Sequence, residues 1–168
     1  MSLLERIFNA FSNKTKVSGA HWQELKSEQG KFSVLMPGIP NYKKHIVNTS
    51  SGMLDLHEYS LNKPDIAFSA SYCDYPIEVV KQTSKKVILS NVRDGVISGM
   101  HGRLLSELII EINGHPGRQL HAEISSGTGI MEGRIYIVEN RLYQISVATG
   151  KQNAFSTDIN RYLDSFKL

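Results

Sequence analysis

From position 130 the chain reads Ile-Met-Glu-Gly-Arg-Ile-Tyr-Ile-Val, then Glu139-Asn140, then Arg-Leu-Tyr-Gln-Ile-Ser-Val-Ala-Thr up to position 149. Two runs rich in β-branched and apolar residues, joined by only two residues, fold locally in one way, as an antiparallel hairpin. Such a hairpin is marginal alone and needs further strands or a helix on an apolar face. This commits the chain to an antiparallel sheet.

Further strands are expected over 22–26, 31–36, 42–48, 53–61, 66–74, 104–112 and 118–125; 22–26 alternates apolar and polar residues, and Phe32, Val34 and Met36 share one face. Over 53–61, Leu54, Leu56 and Glu58 fall on one side and His57 and Tyr59 on the other. Glu28-Gln29-Gly30, Asn62-Lys63-Pro64-Asp65, Asn113-Gly114 with His115-Pro116-Gly117, and Ser126-Gly127-Thr128-Gly129 read as turns. Pro37 and Pro40 end the second strand because neither donates to a ladder.

The period changes in three places. Over 84–100, Val87, Ile88, Asn91, Val92, Ile97 and Met100 approximate a helical stripe, with Ser84 as cap and Gly102 as stop. Over 155–166, Phe155, Ile159, Tyr162, Leu163 and Phe166 make a second stripe, and Asp158 sits near its positive N-terminal end. Over 1–12, Leu4, Ile7, Phe8 and Phe11 recur at helical spacing, and Ser2 with Glu5 forms a capping box. A polar stretch containing Gly19 follows and reads as a linker. The expectation is an α+β fold, a single antiparallel β-sheet flanked by helices in an α/β/α sandwich, with an N-terminal amphipathic helix. Residues 1–20 form that helix and its linker, and residues 21–168 form one domain.

The chain of 168 residues is 40% apolar and 21% charged with a net charge of +3, which fits a globular domain rather than a disordered or strongly basic one. Cys73 is the single cysteine, so no internal disulfide forms and a reducing compartment is favoured. Its strand setting makes it a small buried hydrophobe rather than an activated thiol. No run of apolar residues reaches the length of a membrane-spanning helix. Glu5, Arg6 and Asn9 interrupt the N-terminal apolar residues, so no signal peptide is read there and a cytoplasmic location, peripheral to a membrane at most, is expected.

Several stretches resemble the PsbP-like superfamily, which includes PsbP and the Ran-binding Mog proteins. One is the opening Gly30-Lys31-Phe32-Ser33-Val34-Leu35-Met36-Pro37-Gly38-Ile39-Pro40. The others are Arg134-Ile135-Tyr136-Ile137-Val138, Asn140 through Val147, and the closing Leu163-Asp164-Ser165-Phe166. The resemblance implies an antiparallel sheet sandwiched by helices and a non-enzymatic binding or assembly role, as in an uncharacterised bacterial member. It carries no functional residues over. The chain lacks the lipid-attachment cysteine found near the start of some photosynthetic members.

No catalytic motif emerges. His121-Ala122-Glu123 places two candidate ligands on one strand face, but the zinc deaminases that use H-x-E also need P-C-x-x-C, which a single cysteine cannot supply. A different metal site would need His115, His121 and Glu123 together. Gly127, Gly129 and Gly133 have the wrong spacing for a dinucleotide loop, and neither a P-loop nor G-x-S-x-G occurs. Thus no catalytic residue, metal site or cofactor is expected. Tyr42-Lys43-Lys44-His45 and Asp74-Tyr75-Pro76 are too few for a nucleic-acid surface, and Lys81, Lys85, Lys86 and Arg93 read as a solvated face open to an acidic partner. The leading expectation is a non-enzymatic binding or assembly domain whose partner is another protein. One alternative is a peripheral membrane-surface adaptor, with Leu4, Ile7, Phe8 and Phe11 making weak contact with lipid or a partner while Arg6, Lys14 and Lys16 meet anionic head groups. A second alternative is a small-ligand-binding or hydrolytic domain with a loop-built site. The sequence names no partner, ligand or oligomeric state.

Overall fold

The computed structural model describes residues 21–154 and 156–168. The expected N-terminal helix with Leu4, Ile7, Phe8 and Phe11, its linker, and Phe155 lie outside the described residues.

The strands are β1 (Gln23–Ser27), β2 (Phe32–Met36), β3 (Asn41–Thr49), β4 (Gly52–Lys63), β5 (Ile66–Asp74), β6 (Arg103–Ile112), β7 (His115–Ile124), β8 (Gly129–Val138) and β9 (Arg141–Gly150). The helices are α1 (Ile77–Gln82), α2 (Lys85–Gly99) and α3 (Thr157–Asp164). Seven strands form one antiparallel sheet in the order β3-β4-β5-β9-β8-β7-β6, and β1 and β2 form a separate two-stranded sheet.

The expected single sheet flanked by helices is therefore not what forms. Strands dominate, and a second sheet covers much of the face that a helical layer was expected to cover. Pro37 and Pro40, which lack N–H groups, separate β2 from β3, and packing of Phe32 against Tyr143 and Phe166 holds the first hairpin over the large sheet.

Alternation gives the large sheet two faces. One carries Leu54, Leu56, Cys73, Leu120, Met131 and Ile137 beneath α2, whose Ile88 and Leu89 are buried there. Ser84 caps α2 as expected, its Oγ accepting from the Val87 N–H. Ile88, Leu89 and Met100 are buried and Val92, Val96 and Ile97 pack half-buried beside them, but Val87 is exposed. A pattern with several apolar candidates per turn leaves the rotation of a helix to the sheet it meets.

The other face holds the first hairpin, α3 and the C-terminal residues around Phe32. The Phe32 ring meets Tyr59, Tyr72 and Tyr143 at steep angles with centroids 5.9, 6.2 and 6.0 Å away, and Phe166 at 5.5 Å. Tyr72, Tyr143 and Tyr136 stand opposite one another across β5, β9 and β8. The row continues to Gly117 on β7, where a Cβ would collide with the Tyr136 ring. Gly117 was expected in a turn, but Asn113 and Gly114 alone make that turn, at φ 50° and 78°, and β7 begins at His115.

Polar ties hold the hairpin in place. The Tyr143 hydroxyl donates to the Gly30 carbonyl at 2.7 Å, and Arg141 Nη1 donates to the Gln29 carbonyl at 2.8 Å. Ser33 and Lys167 exchange backbone hydrogen bonds of 2.9 Å, and the Leu35 N–H donates to Ser165 Oγ at 2.8 Å. Arg141 also grips Asp74 through two bonds of 2.6 and 2.7 Å and stacks on Tyr72.

Truncating the hub should be costly: Phe32→Ala is expected to lose about 3–5 kcal/mol in urea unfolding, and a loss below about 1 kcal/mol would show that the hairpin does not pack as described. Arg141 beside it holds the Asp74 carboxyl below the usual carboxylate range. A depressed carboxyl contributes stability above its unfolded value of about 3.9 that is lost as pH falls through the folded value. Asp74→Asn should therefore weaken the fall in stability below about pH 4, read from melting temperatures across pH. An unchanged profile would show that this ion pair does not contribute to acid sensitivity.

Candidate functional site

The side of the sheet under α2 is uneven. Ser69 on β5 stands opposite Ser146 on β9, which stands opposite Gly133 on β8. The next row is Ser71, Gln144 and Ile135. Small residues therefore meet in the middle of the sheet, with Leu56 to one side and Leu120 to the other. Val96 and Met100 at the C-terminal end of α2 pass above without reaching this floor. The result is a half-open cavity of about 220 Å³ with apolar walls, floored by the buried Ser69 and Ser71 and the half-buried Gln144 and Ser146.

Glu58 lies beside this floor, opposite Ser71 and 1% exposed. A carboxylate so deeply buried needs partners. Ser69 Oγ donates to Oε1 at 3.1 Å, and His45 Nε2 lies 3.1 Å from Oε2. Serine, carboxylate and imidazole are the groups of a hydrolytic triad, but here the carboxylate sits between the other two. The imidazole is bonded on the far side of Glu58 from the hydroxyl and is not placed to take its proton, and a carboxylate is a weak base toward a hydroxyl. The chain of groups stabilises a buried charge and orients Ser69.

Two other hollows are more open. Beside α3, a cleft of about 480 Å³ includes His121, Glu132, Lys151 and Asn160. His121 Nδ1 bonds Glu132 Oε1, and burial pushes the Glu132 carboxyl up. Near the β3–β4 edge, Ile46, Met53, Asp55 and His57 line a shallow hollow, where Tyr42 bonds His57 at 2.8 Å. Both mix charged with apolar lining residues in similar measure, whereas the cavity under α2 is walled mainly by apolar side chains with a few neutral polar groups.

The candidates named from sequence scatter. His121 turns to Glu132 on the neighbouring strand, whereas Glu123 is held by Arg103 and Lys151, each at 2.8 Å. His115 opens β7, about 20 Å along the strand from His121. Among the described residues no three metal-ligating side chains cluster. Burial pushes the Cys73 thiol up to about 12, in line with a structural role. Lys81 pairs with Glu78, and Arg93 bridges Asp94 and Glu107, so part of the basic cluster is internally paired. Arg118 Nε lies 3.2 Å from Glu107 Oε1 but is not aligned for a hydrogen bond. No helix among the described residues is long and apolar enough to cross a membrane.

Sequence reasoning missed Ser69, Ser71, Gln144 and Ser146 as a group. The available signal was two serines at i and i+2 within an otherwise apolar strand, since both then share one face.

No family model and no curated protein matches the sequence. The fold is similar to the solution structure of cyanobacterial PsbP, CyanoP, from Synechocystis sp. PCC 6803. The TM-score is 0.59 at 10% identity over 94% of this chain and 98% of that one. The chain thus has a PsbP-like fold, and a likeness at this identity extends to the fold alone. A Pseudomonas aeruginosa protein of unknown function, described as a putative regulator, aligns at a TM-score of 0.41 and 12% identity over 79% of this chain and 85% of that one.

The order of Ser69, Glu58 and His45 has a direct consequence. Hydrolysis of p-nitrophenyl acetate should proceed at the same rate with Ser69→Ala as with the unaltered protein. A large loss of rate specific to Ser69→Ala would make the serine a nucleophile and contradict this reading.

Proposed function

We propose that this chain is a non-enzymatic binding domain whose site is the cavity between α2 and β5, β9 and β8. The observation that carries the proposal is the row Ser69–Ser146–Gly133. Larger side chains at Ser69 and Ser146 would complete the core and remove the void, which otherwise costs dispersion contacts, whereas at Gly133 the Met131 thioether already takes the space of a side chain. A void walled by apolar side chains and floored by neutral hydroxyl and amide groups has the composition of a ligand pocket. The PsbP-like resemblance supports the same class, since it implies binding or assembly rather than catalysis. The site differs in one respect from the expected loop-built pocket: its floor is regular sheet, which holds the polar groups more rigidly than loops would.

The test uses a pocket-filling change. Ser146→Leu is expected to raise stability by about 0.5–2 kcal/mol and to abolish saturable uptake of benzene. Uptake is read from amide chemical-shift changes at Ser71, Gln144 and Ser146 in the unaltered protein. Equal uptake by both proteins, or shifts confined to other residues, would place the site elsewhere.

A further inference from the structure

The cavity's lining selects among ligands, and the ligand class inferred from it rests on the reading that the cavity is the binding site. Three features of the lining narrow the choice.

The first is size and shape. At about 220 Å³ the cavity is larger than an engineered apolar cavity of roughly 150 Å³ that takes benzene. Ser69 and Ser146 share one cross-strand row with Gly133, which the Met131 thioether covers, and Val96 and Met100 line the cavity from α2 and its C-terminal end. A space of this volume, with short hydroxyl side chains on one side and Val96 and Met100 on the other, takes one or two rings.

The second is the sulfur content of the walls. Met100 and Met131 both line the cavity. Thioethers make favourable contacts with ring edges and adapt to ring shape.

The third is charge. The polar groups on the floor are the hydroxyls of Ser69, Ser71 and Ser146 and the amide of Gln144, all neutral. The nearby buried charge, Glu58, has both carboxyl oxygens engaged, by Ser69 and His45. An anion entering the cavity would find no cation on the lining and a carboxylate behind the floor. The hydroxyl and carbonyl oxygens of the floor accept a hydrogen bond from a donor on the ligand.

The geometry points to a neutral, flat aromatic ligand of one or two fused rings that carries a single N–H or O–H donor directed at Gln144 and Ser71.

Indole, its carbon isostere indene and the anion indole-2-carboxylate separate the elements of this assignment. Each is titrated into the full chain and followed by amide chemical shifts at Ser71, Gln144 and Ser146. Indole should bind saturably, and indene roughly threefold to tenfold more weakly for want of the donor. Indole-2-carboxylate should bind more than about tenfold more weakly, because a charge would be buried without a partner. Gln144→Leu should bring indole and indene level. Should that variant fail to fold, Ser71→Ala replaces it and should narrow the same gap. Indene binding as tightly as indole, or the carboxylate binding as tightly as either, would overturn the ligand class and leave the pocket reading standing. Failure of all three probes, indene included, to shift these residues saturably would overturn both.

Discussion

Side chains along β5, β9 and β8 alternate between two faces, and in the middle of these strands the two faces carry different kinds of residue. Toward the first hairpin stand Phe68, Tyr72, Tyr143, Val147 and Tyr136; toward α2 stand Ser69, Ser71, Gln144, Ser146 and Gly133. The aromatic side accounts for the closing of the structure. Phe32 fills the nest among Tyr59, Tyr72, Tyr143 and Phe166, and once it is seated the hairpin turn and the C-terminal residues lie where Tyr143, Arg141 and Ser33 can bond them. The small-residue side accounts for the site. With the sheet held firmly from one side, the other tolerates a void that a less constrained core would collapse to fill.

Much of this was legible in the sequence. The boundaries of β5 agree with the expected 66–74, and the two-residue turn at Glu139-Asn140 joins β8 to β9. Glu58 shares the face of Leu54 and Leu56, as alternation required. Local rules read such features because each depends on neighbours in the chain. The separate two-stranded sheet was not legible, since whether a hairpin extends a sheet or folds over it is decided by contacts such as Phe32 with Phe166, far apart in sequence. The short helix α1 was missed because its few residues, Ile77–Gln82, show too little period to read, and none of them is buried. His115-Pro116-Gly117 looked like a continued turn by composition, but the glycine serves the Tyr136 ring.

The site was hidden for a related reason. A serine in a strand is ordinary, and the spacing of Ser69 and Ser71 shows only that the two share a face. It becomes significant only when register sets it beside Ser146 and Gly133 and aims its hydroxyl at Glu58. The buried carboxylate is the counterpart of that arrangement. Satisfied on one oxygen by Ser69 and on the other by His45, Glu58 can remain inside the sheet layer, and it biases the cavity against anions without contributing a reactive group. The likeness to CyanoP places this architecture within a PsbP-like fold, and the cavity stands on this chain's own residues.

The central claim is that the small residues on this face leave a real cavity with apolar walls under α2. Diffraction from a crystal pressurised with xenon tests it directly, since xenon enters dry apolar cavities and scatters strongly. A xenon peak is expected between the Ser69–Ser146 floor and the side chains of Val96 and Met100. A structure without xenon there, in which Met100 or Val96 has settled onto the serine row, would contradict the claim.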